Sequence, residues 1–148
     1  INGELPQKFS APVISVQMNI QRLLDLQGRE QPSLGEKKIG AFCAIAHPDR
    51  FFETLKNLHF KMVHSWIMPD HEKPNLKELL AFASYCQNQG AVALLCTEKD
   101  AVKIPKDFLT PIPILYLEME LEVISGELHW ENLIEKIVIN MNNCSKIL

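Results

Sequence analysis

The sequence of 148 residues lacks the motifs and runs that mark several classes of protein. It contains no GxxxxGK[ST] phosphate-binding loop, no GxGxxG pattern and no nucleophile elbow, so the common local signals for nucleotide binding and ester hydrolysis are missing. Its longest apolar runs, such as AVALLC (91–96), are far shorter than the ~20 residues of a membrane-spanning helix. The net charge is −3 without a basic block, which argues against a nucleic-acid partner.

Cysteine and histidine show none of the close spacings that are typical of structural zinc sites. No CxxC or HxxxH spacing occurs, and even the closest two cysteines are ten residues apart. Three of the four cysteines lie in apolar runs or on an apolar helix face. We therefore predict buried, reduced thiols and no metal ligands in this chain. The four cysteines are Cys43, Cys86, Cys96 and Cys144.

Length and composition indicate one folded domain. The apolar fraction is 47% and the charged fraction is 22%, as in globular proteins. The first residues, INGELPQKF, include neither an initiator methionine nor the basic start and apolar core of a signal peptide. We expect the chain to be a soluble piece of a longer protein.

Apolar strands alternate with amphipathic helices from about Lys38 onward. Strand-like runs lie at 38–46, 61–67, 91–96 and 112–117. This alternation implies βαβ crossovers, and so an α/β fold of three layers in which a mainly parallel sheet has helices on both faces.

Helix signals lie between these strands. Pro48 suits the first turn of a helix, and Asn75 with Glu78 three residues on forms a capping box. A single capped turn is predicted at 97–103 and a last helix at about 129–141. The predicted apolar stripes are Phe51, Phe52, Leu55 and Leu58; Leu76, Leu79, Leu80, Ala83 and Cys86; and Trp130, Leu133, Ile134, Ile137, Val138 and Met141.

The start of the chain follows a different pattern. The run at 11–26 is strand-like, turns at 27–30 and continues into a polar segment at 31–38. We predict an antiparallel edge strand and linker over residues 1–37, acting as a hinge toward missing sequence, and the α/β domain over residues 38–148.

Three loops follow predicted strands at their carboxyl ends, where open parallel sheets bind ligands. They are AHPDR (46–50), MPDHEKP (68–74) and TEKDAVK (97–103). In the first, an anion site at a helix N-terminus competes with a turn in which the imidazole of His47 caps the helix. In the third, a ligand site competes with a Thr97 cap surrounded by solvated charges.

The middle loop carries the adjacent pair Asp70 and His71. A neutral imidazole is the usual proton acceptor near pH 7, and a carboxylate can orient it. Adjacent side chains seldom face each other, so Asp70 is not automatically the partner of His71. A solvated turn between strand and helix is the competing interpretation.

Several ordered blocks together resemble one family. HPDRFFETLKNL (47–58), PDH (69–71) and CTEKDAVK (96–103), followed by IPILYLEMELE (112–122), resemble the tetraacyldisaccharide 4'-kinases of lipid A (lipopolysaccharide) biosynthesis in Gram-negative bacteria. The resemblance runs from about Ile39 to the last helix. One departure is that Ala44-Ile45-Ala46 stands where the family has Gly-Ile-Gly.

The resemblance implies a reaction and a place for it. The family transfers the γ-phosphate of ATP, with Mg²⁺, to the 4'-hydroxyl of a tetraacyldisaccharide 1-phosphate lipid at the cytoplasmic face of the inner membrane. This chain resembles the C-terminal domain alone. ATP and Mg²⁺ would be bound mainly by the missing N-terminal phosphate-loop domain, which is then a partner of this chain and contacts the membrane surface.

The resemblance also implies roles for residues. His71 matches the catalytic histidine that pairs with an aspartate of the other domain, and Asp70 is its neighbour. The fragment is therefore expected to be inactive alone. The candidate substrate-binding residues in the other two loops are His47, Arg50, Thr97, Glu98, Lys99 and Asp100.

Two other functions compete with this assignment. A non-catalytic α/β module would bind an acidic or acylated ligand or a partner protein, and the missing phosphate loop favours it. A small hydrolase using His71 would need a serine or cysteine nucleophile beside a base, and no such pair is evident in the sequence.

Overall fold

A computed structural model describes residues 13–144, and the surroundings of side chains over 13–139. The chain divides into two compact units. The larger unit is Ile20–Met119, and it contains all three strand-end loops. The smaller unit comprises Ile1–Asn19 and Glu120–Leu148, of which 13–19 and 120–144 are described.

Five strands and four helices make up the described part of the chain. The strands are β1 (Ser15–Asp25), β2 (Lys38–Cys43), β3 (Lys61–Ile67), β4 (Ala93–Thr97) and β5 (Ile114–Ser125). The helices are α1 (Pro48–Asn57), α2 (Leu76–Asn88), α3 (Glu98–Ala101) and α4 (Glu127–Cys144).

The sheet has the strand order β1-β5-β4-β2-β3, and its last four strands are parallel to one another. The side-chain pairs Asn19–Glu122 and Arg22–Glu118 run in opposite directions along β1 and β5, so β1 is an antiparallel edge strand. The chain leaves β2 toward β3 but leaves β4 toward β5. The point between β2 and β4 is therefore a topological switch point, where such sheets bind ligands.

The two faces of β2 contact different helices, which places helices on both sides of the sheet. Alternate residues of a strand point to opposite faces. Ile39, Ala41 and Cys43 pack in a buried cluster that includes Phe51, Phe52 and Leu55 of α1. Phe42 and Ala44 belong to a second cluster with Leu79, Ala83 and Cys86 of α2. The predicted three-layer α/β fold is confirmed.

Local signals fix the helix ends. The side chain of Asn75 accepts hydrogen bonds from the backbone N–H groups of Lys77 at 2.9 Å and Glu78 at 3.4 Å, as an N-cap does. Helix α1 ends in a Schellman motif, since His59 N–H donates to Lys56 O and Phe60 N–H donates to Leu55 O. His59 therefore has a positive φ of 62°, in a position that usually holds glycine.

Several predicted boundaries and faces differ from the structure. Strand β5 continues to Ser125 because the apolar run after 117 turns into an alternating pattern, which also suits a strand. Strand β2 stops at Cys43 rather than at 46. The α2 stripe is only partly buried, since Leu76 and Leu80 are exposed.

The predicted apolar stripe of α4 is exposed in the described structure. Each of its members up to Val138 has at least 40% of its surface accessible. Met141 lies beyond the residues whose side chains are described. The exposed members are Trp130, Leu133, Ile134, Ile137 and Val138.

Gly40 allows β2 to pack closely on its neighbours. A Cβ at this position would lie 2.5 Å from Sγ of Cys86 and 2.6 Å from Cδ2 of Leu94, closer than van der Waals contact permits. We predict that Gly40→Ala lowers the free energy of unfolding by about 1–3 kcal/mol because it overpacks the core. Chemical denaturation measures the change. The loss should be smaller in a Cys86→Ala background, and an equal loss there would contradict this explanation.

The described thiols are shielded from reaction. Burial raises the pKa of Cys43 and of Cys86 to about 11, and the pKa of Cys96 also lies well above its ordinary value. At pH 8 only about one thiol in a thousand at Cys43 or Cys86 is then ionised. We predict that iodoacetamide leaves these three residues unmodified in the native protein and alkylates them in urea. Peptide mass spectrometry separates the sites, and rapid native labelling of any of the three would contradict the prediction.

Candidate functional site

An open cavity of about 370 Å³ lies at the carboxyl ends of the parallel strands. It is lined by residues 44–46 after β2, by Asp70 and His71 after β3, and by Lys99, Val102 and Lys103 in and after α3. All three predicted loop regions therefore contribute to one cavity. It lies beside the switch point between β2 and β4, as the topology requires for a ligand site.

His71 projects its ring into solvent at the cavity wall. Its side chain is 83% exposed, and its φ is +63°. The residue is third in a tight turn that is closed by a 3.0 Å hydrogen bond from Glu72 N–H to Pro69 O. A type II turn needs a positive φ at this position and normally uses glycine or asparagine.

The conformation of His71 costs free energy. A residue with a side chain in the left-handed region is destabilised by on the order of 1–2 kcal/mol. His59 also has a positive φ, but it ends a helix where the Schellman hydrogen bonds explain the backbone. Glycine or asparagine is more usual than histidine at this position of the turn at 69–72.

Asp70 faces the ring of its neighbour. Nε2 of His71 lies 3.6 Å from Oδ2 of Asp70, within the range of an ion pair but longer than a hydrogen bond. The two adjacent side chains thus meet, although adjacent residues seldom do. Asp70 remains partly accessible, with 42% of its side chain exposed, so water can also solvate the carboxylate.

A buried carboxylate lies beneath the cavity. Asp100 is fully buried, and its Oδ2 accepts hydrogen bonds from Ala44 N–H at 3.1 Å and from Thr97 Oγ1 at 2.7 Å. Its Oδ1 lies 3.1 Å from Nζ of Lys103. Thr97 also caps α3, because its Oγ1 accepts the N–H of Asp100 at 3.3 Å. Every oxygen of the carboxylate is therefore satisfied without water.

Two further hydrogen bonds connect this carboxylate to the turn that holds His71. The N–H of His71 donates to the carbonyl of Ala44 at 3.1 Å. Nζ of Lys103 donates to the carbonyl of Glu72 at 3.1 Å. The bond from Ala44 N–H to Asp100 also explains why β2 ends before the predicted residue 46, because this N–H is no longer available for a hydrogen bond between strands.

The candidate residues from the sequence fall into three groups in the structure. His71, Asp70 and Lys99 line the cavity, whereas Thr97 and Asp100 lie in the hydrogen-bond network beneath it. The expectation that the charges of this loop are all solvated is wrong for Asp100, because the folding of α3 turns its carboxylate inward. Glu98 is exposed and lies outside the cavity lining.

The first loop contributes its backbone rather than its candidate side chains. His47 and Arg50 are exposed at the start of α1 and lie outside the cavity lining. The interpretation that the imidazole of His47 caps this helix is wrong. Among the described residues, the His47 side chain makes no capping hydrogen bond.

Lys103 lines the cavity but is not among the site residues predicted from the sequence. Its spacing of three from Asp100 was the available signal, since residues at i and i+3 are neighbours on a helical turn. The same spacing is common on solvated surfaces, so it does not reveal burial. In the structure only 20% of the Lys103 side chain is exposed.

The described residues include neither a cluster of metal ligands nor a membrane-spanning helix. Within residues 13–144, no group of three or more histidine, cysteine, aspartate or glutamate side chains is placed to hold a metal ion. Among the helices in that range, none has the length and apolar character needed to cross a bilayer.

Comparison with known proteins gives consistent results. The family model for tetraacyldisaccharide-1-P 4'-kinase (LpxK) matches residues 2–138. The tetraacyldisaccharide 4'-kinase of Chlamydia pneumoniae is 31% identical over 140 residues, which are 90% of this chain and 38% of the relative. The enzyme of the same name from Vibrio parahaemolyticus is 37% identical over 91 residues, 61% of this chain and 26% of the relative.

A solved structure supports the fold. The crystal structure of LpxK from Aquifex aeolicus in complex with ATP matches with a TM-score of 0.59 at 21% identity, covering 90% of this chain and 38% of that one. The chain thus spans less than two fifths of the length of these relatives. Because the family model covers nearly the whole sequence, the chain belongs to the tetraacyldisaccharide-1-P 4'-kinase family.

Proposed function

We propose that this chain is the C-terminal part of a kinase that phosphorylates the 4'-hydroxyl of a tetraacyldisaccharide 1-phosphate, a step of lipid A synthesis. Family membership supports the reaction class. The short coverage of the relatives supports a partnership with an N-terminal domain that supplies the phosphate loop. The complete protein would act at the cytoplasmic face of the inner membrane.

His71 carries the proposal for this chain. Its ring is exposed at the cavity, it is held in a backbone conformation that favours glycine, and it matches the family's histidine. Phosphoryl transfer depends on positioning and on neutralising charge. We propose that the imidazole hydrogen-bonds a carboxylate of the N-terminal domain, and that it thereby helps this carboxylate take the proton of the attacking hydroxyl.

Lys99 is the remaining cavity-lining member of the predicted substrate-binding set. Its exposed ammonium group adds positive charge beside His71, which suits an anionic substrate. We propose that Mg²⁺, like ATP, is held mainly by the N-terminal domain, as the family resemblance implies. ATP and Mg²⁺ would then reach His71 only when the two domains close together.

The imidazole can be removed without changing the turn. Asparagine tolerates the left-handed region, so His71→Asn in the full-length protein should keep the backbone conformation. We predict that this variant lowers kcat for ATP-dependent lipid phosphorylation by about 10²–10⁴-fold, the usual contribution of a general acid or base. The thermal unfolding midpoint should stay close to that of the unsubstituted protein.

His59→Asn is the matched control. It replaces an exposed histidine with the same backbone conformation, and it lies at the far end of α1, outside the cavity. Its kcat should stay within about twofold of that of the unsubstituted protein, as for most surface changes. Equal activity of the two variants would remove His71 from the mechanism and would favour the non-catalytic binding module.

The isolated chain should be unable to use ATP. It contains no GxxxxGK[ST] loop, and this loop supplies most of the contacts to the phosphates. We predict no phosphorylation of the lipid and a Kd for ATP weaker than about 1 mM, equivalent to less than about 4 kcal/mol of binding free energy. Isothermal titration calorimetry makes the measurement, with the full-length protein as the positive control. A micromolar Kd for the isolated chain would contradict the assignment of ATP binding to the other domain.

A further inference from the structure

We propose that Asp100 and Lys103 are positioning residues that hold the His71 turn in its catalytic conformation. This inference rests on the proposed function, because it requires His71 to take part in the reaction. It assigns a purpose to the ion pair that the TEKDAVK segment forms between buried Asp100 and cavity-lining Lys103.

The pair is costly where it lies. Asp100 is fully buried and Lys103 is mostly buried, and removing charges from water costs several kcal/mol per ion before pairing. Buried ion pairs are often no more stabilising than apolar residues of the same volume. Stability alone therefore gives little reason for an ion pair at this position. A role in orienting the neighbouring backbone gives a better reason.

The carboxylate connects three segments that are distant in the sequence. Its Oδ2 accepts from Ala44 N–H at the end of β2 and from Thr97 Oγ1 at the end of β4. Its Oδ1 fixes the ammonium group of Lys103, which in turn reaches the turn after β3. A neutral side chain could not accept from the Ala44 N–H, the Thr97 hydroxyl and the Lys103 ammonium group equally well.

Two peptide units of this turn, the one before His71 and the one after Glu72, are each tied to this carboxylate through one intermediate residue. On the N-terminal side, His71 N–H donates to the carbonyl of Ala44, whose own N–H donates to Asp100. On the C-terminal side, the carbonyl of Glu72 accepts from Lys103, which is paired with Asp100. The turn is thus fixed immediately before and one residue after the imidazole.

A turn with a histidine at positive φ needs such support. The conformation is unfavourable by itself and persists only where the surroundings determine it. Without the hydrogen bond to Glu72, the backbone can relax toward negative φ and carry the ring away from the cavity. A displacement of about 1 Å in a catalytic group can lower a rate by on the order of 10²-fold.

Lys103→Met in the full-length protein tests the inference. Methionine keeps most of the aliphatic stem and removes the donor. We expect kcat for lipid phosphorylation to fall by about 10–100-fold, with KM for ATP and for the lipid within about threefold, because positioning acts on the reacting geometry. Lys103→Arg, which can still donate to both partners, should recover most of the kcat.

Lys106→Met is the matched control. It removes the same charge three residues away, from an exposed side chain outside the cavity, and should leave kcat within about twofold of the starting value. If Lys103→Met does not fold, Lys103→Gln takes its place, since glutamine keeps a polar atom near Asp100 and is too short to reach both partners. The same outcomes are expected of it.

A double variant separates positioning from direct binding. In a His71→Asn background, Lys103→Met should lower kcat by less than about twofold, because there is no imidazole left to position. If the two effects multiply, or if KM rises while kcat stays constant, Lys103 contacts substrate itself and the inference is wrong.

The two proposals fail in different ways. If His71→Asn lowers kcat but Lys103→Met does not, only the positioning role is overturned. If His71→Asn has no effect, the catalytic role of His71 is overturned, and the positioning role is overturned with it.

Discussion

A carboxylate without access to water is the constraint on which the site depends. Asp100 must receive hydrogen bonds from protein groups alone, and these come from the ends of β2 and β4 and from Lys103. An unpaired buried charge would destabilise the domain strongly. The hydrogen bonds that satisfy the carboxylate of Asp100 therefore also fix the relative positions of the segments that line the cavity.

The sheet makes this arrangement possible. Because β4 and β2 are adjacent and parallel, their carboxyl ends lie at the same edge, and β3 ends beside them on the far side of β2. The connections leave β2 and β4 in opposite directions, which opens a crevice between them. Apolar packing of α1 and α2 on opposite faces keeps these strands together, so the core determines where the polar network forms.

Periodicity and capping residues were sufficient to predict the layers, most strands and the cap at Asn75, because each of these depends on neighbours in the sequence. The burial of Asp100 could not be predicted in this way, since an aspartate three residues before a lysine is also typical of a solvated turn. The conformation of His71 depends on the hydrogen bond that its N–H donates to the carbonyl of Ala44 and on the one that Lys103 donates to the carbonyl of Glu72. Both bonds join residues that are distant in the sequence. An apolar run predicts only the first half of β5, because polar and apolar residues alternate in the second half.

The left-handed backbone of His71 has an evolutionary consequence. A glycine at this position would relieve the turn and make the native fold more stable, so selection for folding alone would replace the histidine. Its persistence would have to come from selection on activity. In descendants that lost the activity but kept the fold, residue 71 would be among the first to be replaced. The residue at this position would then distinguish active from inactive members.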